Sequence, residues 1–374
     1  WTTLDFDNYW AVVEDGTPIL KTFAKEVPSL KKVKRAFSMD WYDKTKSTYT
    51  LKTLEDLYGF AIMSYSSNFM GKTIKLGADI IVNDGNAAEW DEKAPEAIWI
   101  PIGTTASPFA GIFDGDMHAI SGIYYKTDAP YGGMFPATTP TTTIKNLKLT
   151  NSYFESSAQY FGSVVGNARG KFDTIYSNAT VVSNAGIVGG MIGQVAKDGG
   201  VSMTNCWFDG TVVSKGNTTA SRRAAGLAAF VLADTNISNC LNTGTIDITA
   251  YATQNSATSK VVAPLAGGLI GHIYKDRTVT LTDCLGTGKV LVSDKATVGY
   301  GSVVGYSDGT AILSGTYATK ESCKNSAGGK LAGLVIPMSE VELEGVKGYQ
   351  WTHLDFEKYW AAIAKDTPVL KAFA

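Results

Sequence analysis

Read as hydrophobic and polar positions, the middle of the chain is a succession of short apolar runs set between glycines. One such element recurs as Gly162-Ser163-Val164-Val165-Gly166, Gly189-Gly190-Met191-Ile192-Gly193, Gly226-Leu227-Ala228-Ala229-Phe230, Gly267-Gly268-Leu269-Ile270-Gly271 and Gly301-Ser302-Val303-Val304-Gly305. A degraded copy runs from Ala332 to Ile336, and the last positions of the copies lie 27, 37, 41, 34 and 31 residues apart. Between them stand alternating stretches, Met203 to Val213, Ile237 to Ile248 and Leu281 to Val292. Each interval therefore holds about three short strands, with Asn, Asp and Gly supplying the turns. The uneven spacing fits loops inserted at corners, such as Lys215 to Arg223 and Tyr251 to Lys260.

A unit of this size cannot bury its own apolar face, whereas stacking one coil on the next continues both the hydrogen-bond ladder and the core. The pattern predicts an all-β chain, a parallel β-solenoid whose coils rise by about 4.8 Å each. With upstream coils such as Ile74 to Val82, Phe109 to Tyr125 and Thr143 to Phe154, roughly nine turns are expected at that spacing. The small residues of the glycine-rich element suit a tight corner.

Two segments carry a helical period instead. Thr53-Leu54-Glu55-Asp56 opens like a capping box, and Leu54, Leu57, Tyr58 and Ala61 then share one face. A short amphipathic helix is expected there, as a lid over the open end of the β-core or a face for a partner. At the other end Phe356, Tyr359, Trp360 and Ile363 recur at i, i+3, i+4, i+7, and Pro368, Val369 and Leu370 then predict a short extended finish. A second capping helix followed by a strand is thus expected, with Trp351, Phe356, Tyr359, Trp360 and Leu370 as its apolar residues.

That closing segment occurs twice. Trp1 to Ala24 returns as Trp351 to Ala374 with a constant offset of 350, no gap, and 14 of 24 positions identical. The expected organisation is residues 1–24 as the tail of a preceding unit, 25–50 as a linker, 51–346 as the solenoid with its N-terminal capping helix, and 347–374 as a C-terminal cap. The start at Trp1, with neither Met nor signal peptide, reads as a piece of a tandem array.

Composition narrows the partners. With 33 basic and 35 acidic side chains the formal charge is -2, which gives no electrostatic footprint for nucleic acid or an anionic membrane. The basic run Lys25, Lys31, Lys32, Lys34 and Arg35 is either a polyanion patch or a solvated linker. No run of 18 apolar residues is present, so no membrane insertion is expected. Charged residues make up 18% and glycine 39 of 374 positions, a turn-rich β composition.

The stretch Phe69 to Gly122, with the Gly-Gly-Leu-Ile-Gly and Asn-Cys-x-x-x-Gly-Thr-Val repeats, resembles bacterial surface proteins carrying GLUG-motif repeats. The resemblance covers about Leu51 to Val346. It implies a right-handed parallel β-helix on a large secreted or cell-surface bacterial protein, of a family often adhesin-like and with no demonstrated chemistry in most members. Extracellular localisation follows from the same resemblance, neighbouring copies are expected as partners from the 350-residue repeat, and a host glycan or protein is the class its loops are expected to meet.

The candidates for chemistry are few. Asp114, Asp116 and His118 alternate along Phe113-Asp114-Gly115-Asp116 and could share one strand face for acid/base work of the kind polysaccharide lyases and hydrolases use; the alternative is a tight turn at Asp114-Gly115. The acidic loop around Asp84, Glu89 and Asp91, with Asp79 and Glu92 nearby, could hold Ca2+ through oxygens or simply be solvated. Cys206, Cys240 and Cys284 occupy the same place in their repeats, after Asn205, Asn239 and Asp283, and stacking would make them a ladder of buried thiols. A disulfide between coils fits the accepted Cα spacing, but parallel side-chain directions disfavour its torsion, so reduced thiols are expected. The fourth cysteine, Cys323, and the others show no metal-ligand spacing. Trp41, Tyr42, Tyr124, Tyr125, Tyr131, Trp207 and Phe208 are candidate sugar platforms or residues buried under loops. No cofactor is expected. The reading is a non-catalytic structural or adhesive unit, with a polysaccharide-binding or polysaccharide-degrading β-helix protein as the alternative.

Overall fold

The computed structural model describes residues 10–12, 18–20, 36–157, 159–215, 222–249, 265–292, 299–319, 336–338, 353–363 and 367–374. The chain divides into two compact units, Trp1–Ala36 and Phe37–Ala374. In the first, Trp10–Val12 pairs antiparallel with Pro18–Leu20, Trp10 opposite Leu20. The basic residues from Lys25 to Arg35, together with Cys323 and Trp351, lie outside the described residues.

The second unit is predominantly β, and its large sheets are parallel. The chain visits four of them in turn. From Thr143–Thr150 in a 16-stranded sheet (sheet I) it passes to Tyr153–Ser156 in a six-stranded sheet (sheet II). It continues to Phe161–Gly162 in a five-stranded sheet (sheet III) and to Val165–Ala168 in a second six-stranded sheet (sheet IV), then returns to sheet I at Gly170–Ser177. Each strand lies parallel to its counterpart one coil on, as in Thr143↔Lys171, Tyr153↔Thr180, Phe161↔Val188 and Val165↔Ile192. Four sheets, rather than about three strands per coil, reflect a split that alternation alone does not reveal. In the later coils the sheet I strand is cut in two at a left-handed residue, Asn205 (φ 54°), Asn239 (φ 49°) or Asp283 (φ 54°). Asn and Asp tolerate that conformation better than other side chains with a Cβ.

Coil length varies mainly at one corner. The step from sheet II to sheet III runs from Ser183 directly to Ile187, but from Ser214 to Arg223, from Asp247 to Leu265 and from Leu291 to Tyr300 in the following coils. The glycine-rich element forms the next corner, between sheets III and IV. A Cβ on Gly226 would meet the carbonyl of Gly268 at 2.5 Å, and one on Gly268 would collide with the carbonyl of Ser302. Glycine is needed there because successive coils bring backbone against backbone.

Inside, apolar positions stack in register: Tyr49, Ile74, Phe113, Ile144, Phe172, Met203, Ile237 and Leu281 form one column of sheet I, all buried. The helix α1, Leu54–Met63, starts where the capping signal placed it. Thr53 accepts a hydrogen bond from the Asp56 backbone N–H at 3.2 Å, while the Asp56 carboxylate accepts from the backbone N–H of Lys52. Its Phe60 ring sits 5.0 Å from Phe69 and 6.1 Å from Phe113, joining the core. Among the described residues no helix is long and apolar enough to cross a membrane.

The expected C-terminal capping helix is corrected. Trp360–Ala361 and Val369–Leu370 form an antiparallel hairpin, Trp360 opposite Leu370, and a short 3-10 turn follows at Lys371–Phe373. The Asp355 carboxylate accepts from the Lys358 backbone N–H and its carbonyl from those of Tyr359 and Trp360, closing one turn before the chain extends. One turn and a strand put Phe356, Tyr359 and Trp360 on one side as well as a helix would. The hairpin lies against the side of sheet I, where Leu354, Trp360 and Leu370 cluster with Leu241, Leu285 and Tyr317, and Phe356, Tyr359, Val369 and Phe373 pack around them.

Candidate functional site

Asp114, Asp116 and His118 do not converge. The strand Ile112–Asp114 ends at Asp114, and Asp116 (φ 50°) and Met117 (φ 66°) turn the chain through left-handed conformations. Asp114 is held by the Lys145 ammonium at 3.2 Å, the Asn146 side-chain amide at 2.9 Å and the backbone N–H of Asp116 at 3.0 Å. Burial pushes its carboxyl up, but these hydrogen bonds outweigh that and hold it below the ordinary value. Asp116 pairs with Lys75 at 3.0 Å, and His118 Nδ1 meets Asp79 at 3.0 Å. Each group is thus engaged by a separate partner.

The loop carrying Asp84, Glu89 and Asp91 lies over the outer side of sheet II. Trp90 packs edge-on to Tyr124 at 6.2 Å, Tyr124 stacks on Tyr153 at 5.8 Å, and the Ala87 backbone N–H donates to Asn151. Asp84 and Glu89 are exposed, whereas Asp91 pairs with Lys215 and accepts from the Tyr153 hydroxyl, both at 3.0 Å. Among the described residues no group of three or more His, Cys, Asp or Glu side chains is placed to hold a metal ion.

The same hydroxyl reaches Glu155, which sequence reasoning passed over. Glu155 is buried yet pairs with Lys126 at 2.8 Å and accepts from Asn184 and Tyr153 at 3.0 Å. Lys126, Glu155 and Asn184 line an open groove of about 350 Å3 with Thr127, Asp128 and Ser157. Burial raises the Glu155 carboxyl, and the hydrogen bonds from Lys126, Asn184 and Tyr153 bring it below its ordinary 4.5. A depressed folded value means stability that is full above pH 4.5 and lost as the pH falls through the folded value. Urea midpoints between pH 7 and pH 3 are therefore expected to fall less steeply for Glu155→Gln than for the parent. Identical slopes would remove the carboxylate from the acid response.

Cys206, Cys240 and Cys284 are buried, reduced and one coil apart. Each thiol donates to the carbonyl two residues back, Thr204 at 3.4 Å, Ser238 at 3.2 Å and Thr282 at 3.3 Å. In the following coil Thr316 does the same toward Ser314 with a hydroxyl, also at 3.2 Å. Burial pushes the Cys240 thiol well up, aided by hydrogen bonds with Cys206 and Cys284, the opposite of an activated nucleophile.

A second buried polar group was not foreseen. Arg223 Nε donates to His272 Nδ1 at 2.8 Å, His272 Nε2 meets Asp308 at 3.0 Å, and the imidazole stacks on Phe230 at 5.1 Å with the guanidinium 3.9 Å above the same ring. Burial and the Arg223 charge hold His272 below its ordinary value, so the neutral ring accepts from Arg223 and donates to Asp308. Both nitrogens are occupied, which makes this a structural relay.

Of the candidate platforms, Tyr131 stacks on Tyr160 at 5.1 Å, Tyr125 on Phe161 at 6.0 Å, and Trp207 meets Tyr176 edge-on at 5.1 Å. Trp41 and Tyr42 pack with Tyr49, and Phe208 is fully buried.

No protein-family model matches the chain, and no curated protein sequence matches it. A crystal structure from Bacteroides ovatus, described as that of a "putative immunoglobulin A1 protease", is similar over 90% of this chain and 95% of its own, with a TM-score of 0.61 and 16% identity. At that identity the likeness is one of fold, a predominantly β chain built of parallel sheets.

Proposed function

We propose that the chain is a non-catalytic repeat unit of a large extracellular bacterial protein of the GLUG-repeat kind, a closed, right-handed parallel β-helix that extends from the cell and presents loops for binding. The observation that carries this reading is the doubled tail. Two segments 350 residues apart share 14 of 24 positions and form the same hairpin, Trp10 opposite Leu20 and Trp360 opposite Leu370. Arrays of one unit give reach and multivalent contact without new chemistry. The engagement of Asp114 and Asp116 by separate lysines and the burial of the three thiols support the same reading. Neighbouring copies are its first partners, and a host glycan or protein is the class its loops would meet.

The name given to the Bacteroides ovatus protein favours a second reading, a protease. Both are tested by incubating the purified chain with uronate and neutral glycans and with immunoglobulin A1. Binding without turnover is the expected result. Glycan turnover lost in Asp114→Ala or Asp116→Ala would replace the module with a polysaccharide-degrading enzyme, and cleavage of immunoglobulin A1 would replace it with a protease.

A further inference from the structure

The two halves of sheet I differ on their outer sides. Along the first half, register places Lys75, Asp114, Lys145, Asp173, Thr204 and Ser238 in one polar column. Along the second half the outer column is Tyr176, Trp207, Leu241, Leu285 and Tyr317. Five successive coils thus present an apolar stripe on a side of a sheet that is elsewhere polar, and such a stripe needs a cover.

Its present cover is the C-terminal hairpin. Trp360 and Leu370 are fully buried against the stripe, Phe373 lies 5.6 Å from Tyr176 and 6.3 Å from Trp207, and the Trp360 indole N–H donates to Asn239 at 3.2 Å. The residues of this tail that pack there are Leu354, Phe356, Tyr359, Trp360, Val369, Leu370 and Phe373. Their counterparts 350 positions earlier are Leu4, Phe6, Tyr9, Trp10, Ile19, Leu20 and Phe23, identical in six of seven places with Ile for Val in the other. Most differences between the copies fall elsewhere, for example Asn8 for Lys358 and Asp15 for Lys365. One chain therefore carries two segments with matching residues at the positions that pack on the stripe in the C-terminal copy and, among the described residues, one such stripe.

We infer that residues 1–24 of one copy dock along the Tyr176–Tyr317 stripe of a second copy, taking the place of that copy's own residues 353–374. The contact joins different surfaces of the two partners, so it propagates head to tail instead of closing a symmetric dimer. The resident tail has the advantage of being tethered, equivalent to a millimolar local concentration. Exchange therefore needs high protein concentration or a weakened resident tail. The inference rests on the tandem-unit reading only for the origin of the second hairpin; the turnover assays above can fail or succeed independently of it.

The test uses the full chain. W360A/L370A, which weakens the resident tail, is expected to form concentration-dependent oligomers by sedimentation velocity while the parent stays monomeric at the same concentration. Adding W10A/L20A to that variant should return it to a monomer. A labelled peptide of residues 1–24 should bind the four-fold variant, and a Trp10→Ala peptide should bind about thirtyfold or more weakly, as expected for a buried anchor. The same peptide in excess should displace the resident tail of the parent chain, read as loss of exchange protection at the Lys371 amide, which keeps the test open if the variants fold poorly. A W360A/L370A chain that stays monomeric while the peptide binds would overturn exchange between copies in favour of docking within one chain. A peptide that neither binds nor displaces would overturn the recognition itself.

Discussion

Trp360→Ala is expected to release the C-terminal tail while leaving the stacked sheets standing. Truncating a fully buried aromatic typically costs about 3–5 kcal/mol, and Trp360 is the largest side chain of the cluster on the outer stripe. The substitution also leaves the Asn239 carbonyl oxygen, on a residue 8% exposed, without the indole N–H it accepts from; an unmet buried acceptor adds about 1–3 kcal/mol. Leu354, Leu370 and the residues packed around them remain against the stripe, so the expected result is a weakened, opening hairpin and not a loss of the sheets. Hydrogen exchange gives the readout: the Lys371 amide, which donates to the Tyr359 carbonyl across the hairpin, should lose its protection, and amides of the sheet I strand Gly170–Ser177 should keep theirs. Protection lost equally in both would mean that the tail and the sheets unfold as one cooperative unit. Protection kept in both would mean that the indole does not hold the hairpin.

Gly268→Val should act on the body itself. The position where its Cβ would stand is taken by the backbone carbonyl of Ser302 in the next coil, and Gly226 faces Gly268 in the same way from the coil before. A backbone atom inside a hydrogen-bonded stack cannot swing aside as a side chain can, so the ladder must open. A loss of about 3 kcal/mol or more is expected, the upper end for overpacked cores. Gly199→Ala is the control, because the atoms nearest its Cβ belong to the Arg169 side chain, with Cγ at 3.0 Å. Its cost should stay below about 1 kcal/mol. Comparable denaturation midpoints for the two variants would show that the corner tolerates added bulk.

The glycine corner and the cysteine column could be read from the sequence for the same reason. Both recur at a fixed place, the glycines in successive coils and the cysteines in three of them, and both are dictated by contact with the coil above or below, so their spacing carries the stacking. The left-handed Asn205, Asn239 and Asp283 before the cysteines belong to the same column, although the sequence alone did not show that they split the strand. Asp114-Gly115-Asp116 fits either a strand or a turn, alternation cannot choose between them, and the structure takes the turn, the alternative that the sequence also offered. The tail misled in the same way: Phe356, Tyr359 and Trp360 lie on one side whether they wind as a helix or enter a hairpin. Arg223, His272 and Asp308 were out of reach for another reason. They are 49 and 36 positions apart, and only the register Phe230↔His272↔Tyr306 brings them together. With coils of unequal length, no fixed period points from one to the next. Glu155 and its partners Lys126 and Asn184 meet through the same register on sheet II.

The corner between sheets II and III absorbs the added length of successive coils, and the chain re-enters the next sheet in unbroken register each time. Sequence can therefore be added at Ser214–Arg223, Asp247–Leu265 and Leu291–Tyr300 at little expense to the stack, since lengthening an existing loop adds only a slowly growing entropy. The strands that flank the three sites lie a single inter-strand step apart. Length added at any of these sites leaves the column behind it the same, and foreign epitopes grafted at successive sites would start from strands a single inter-strand step apart.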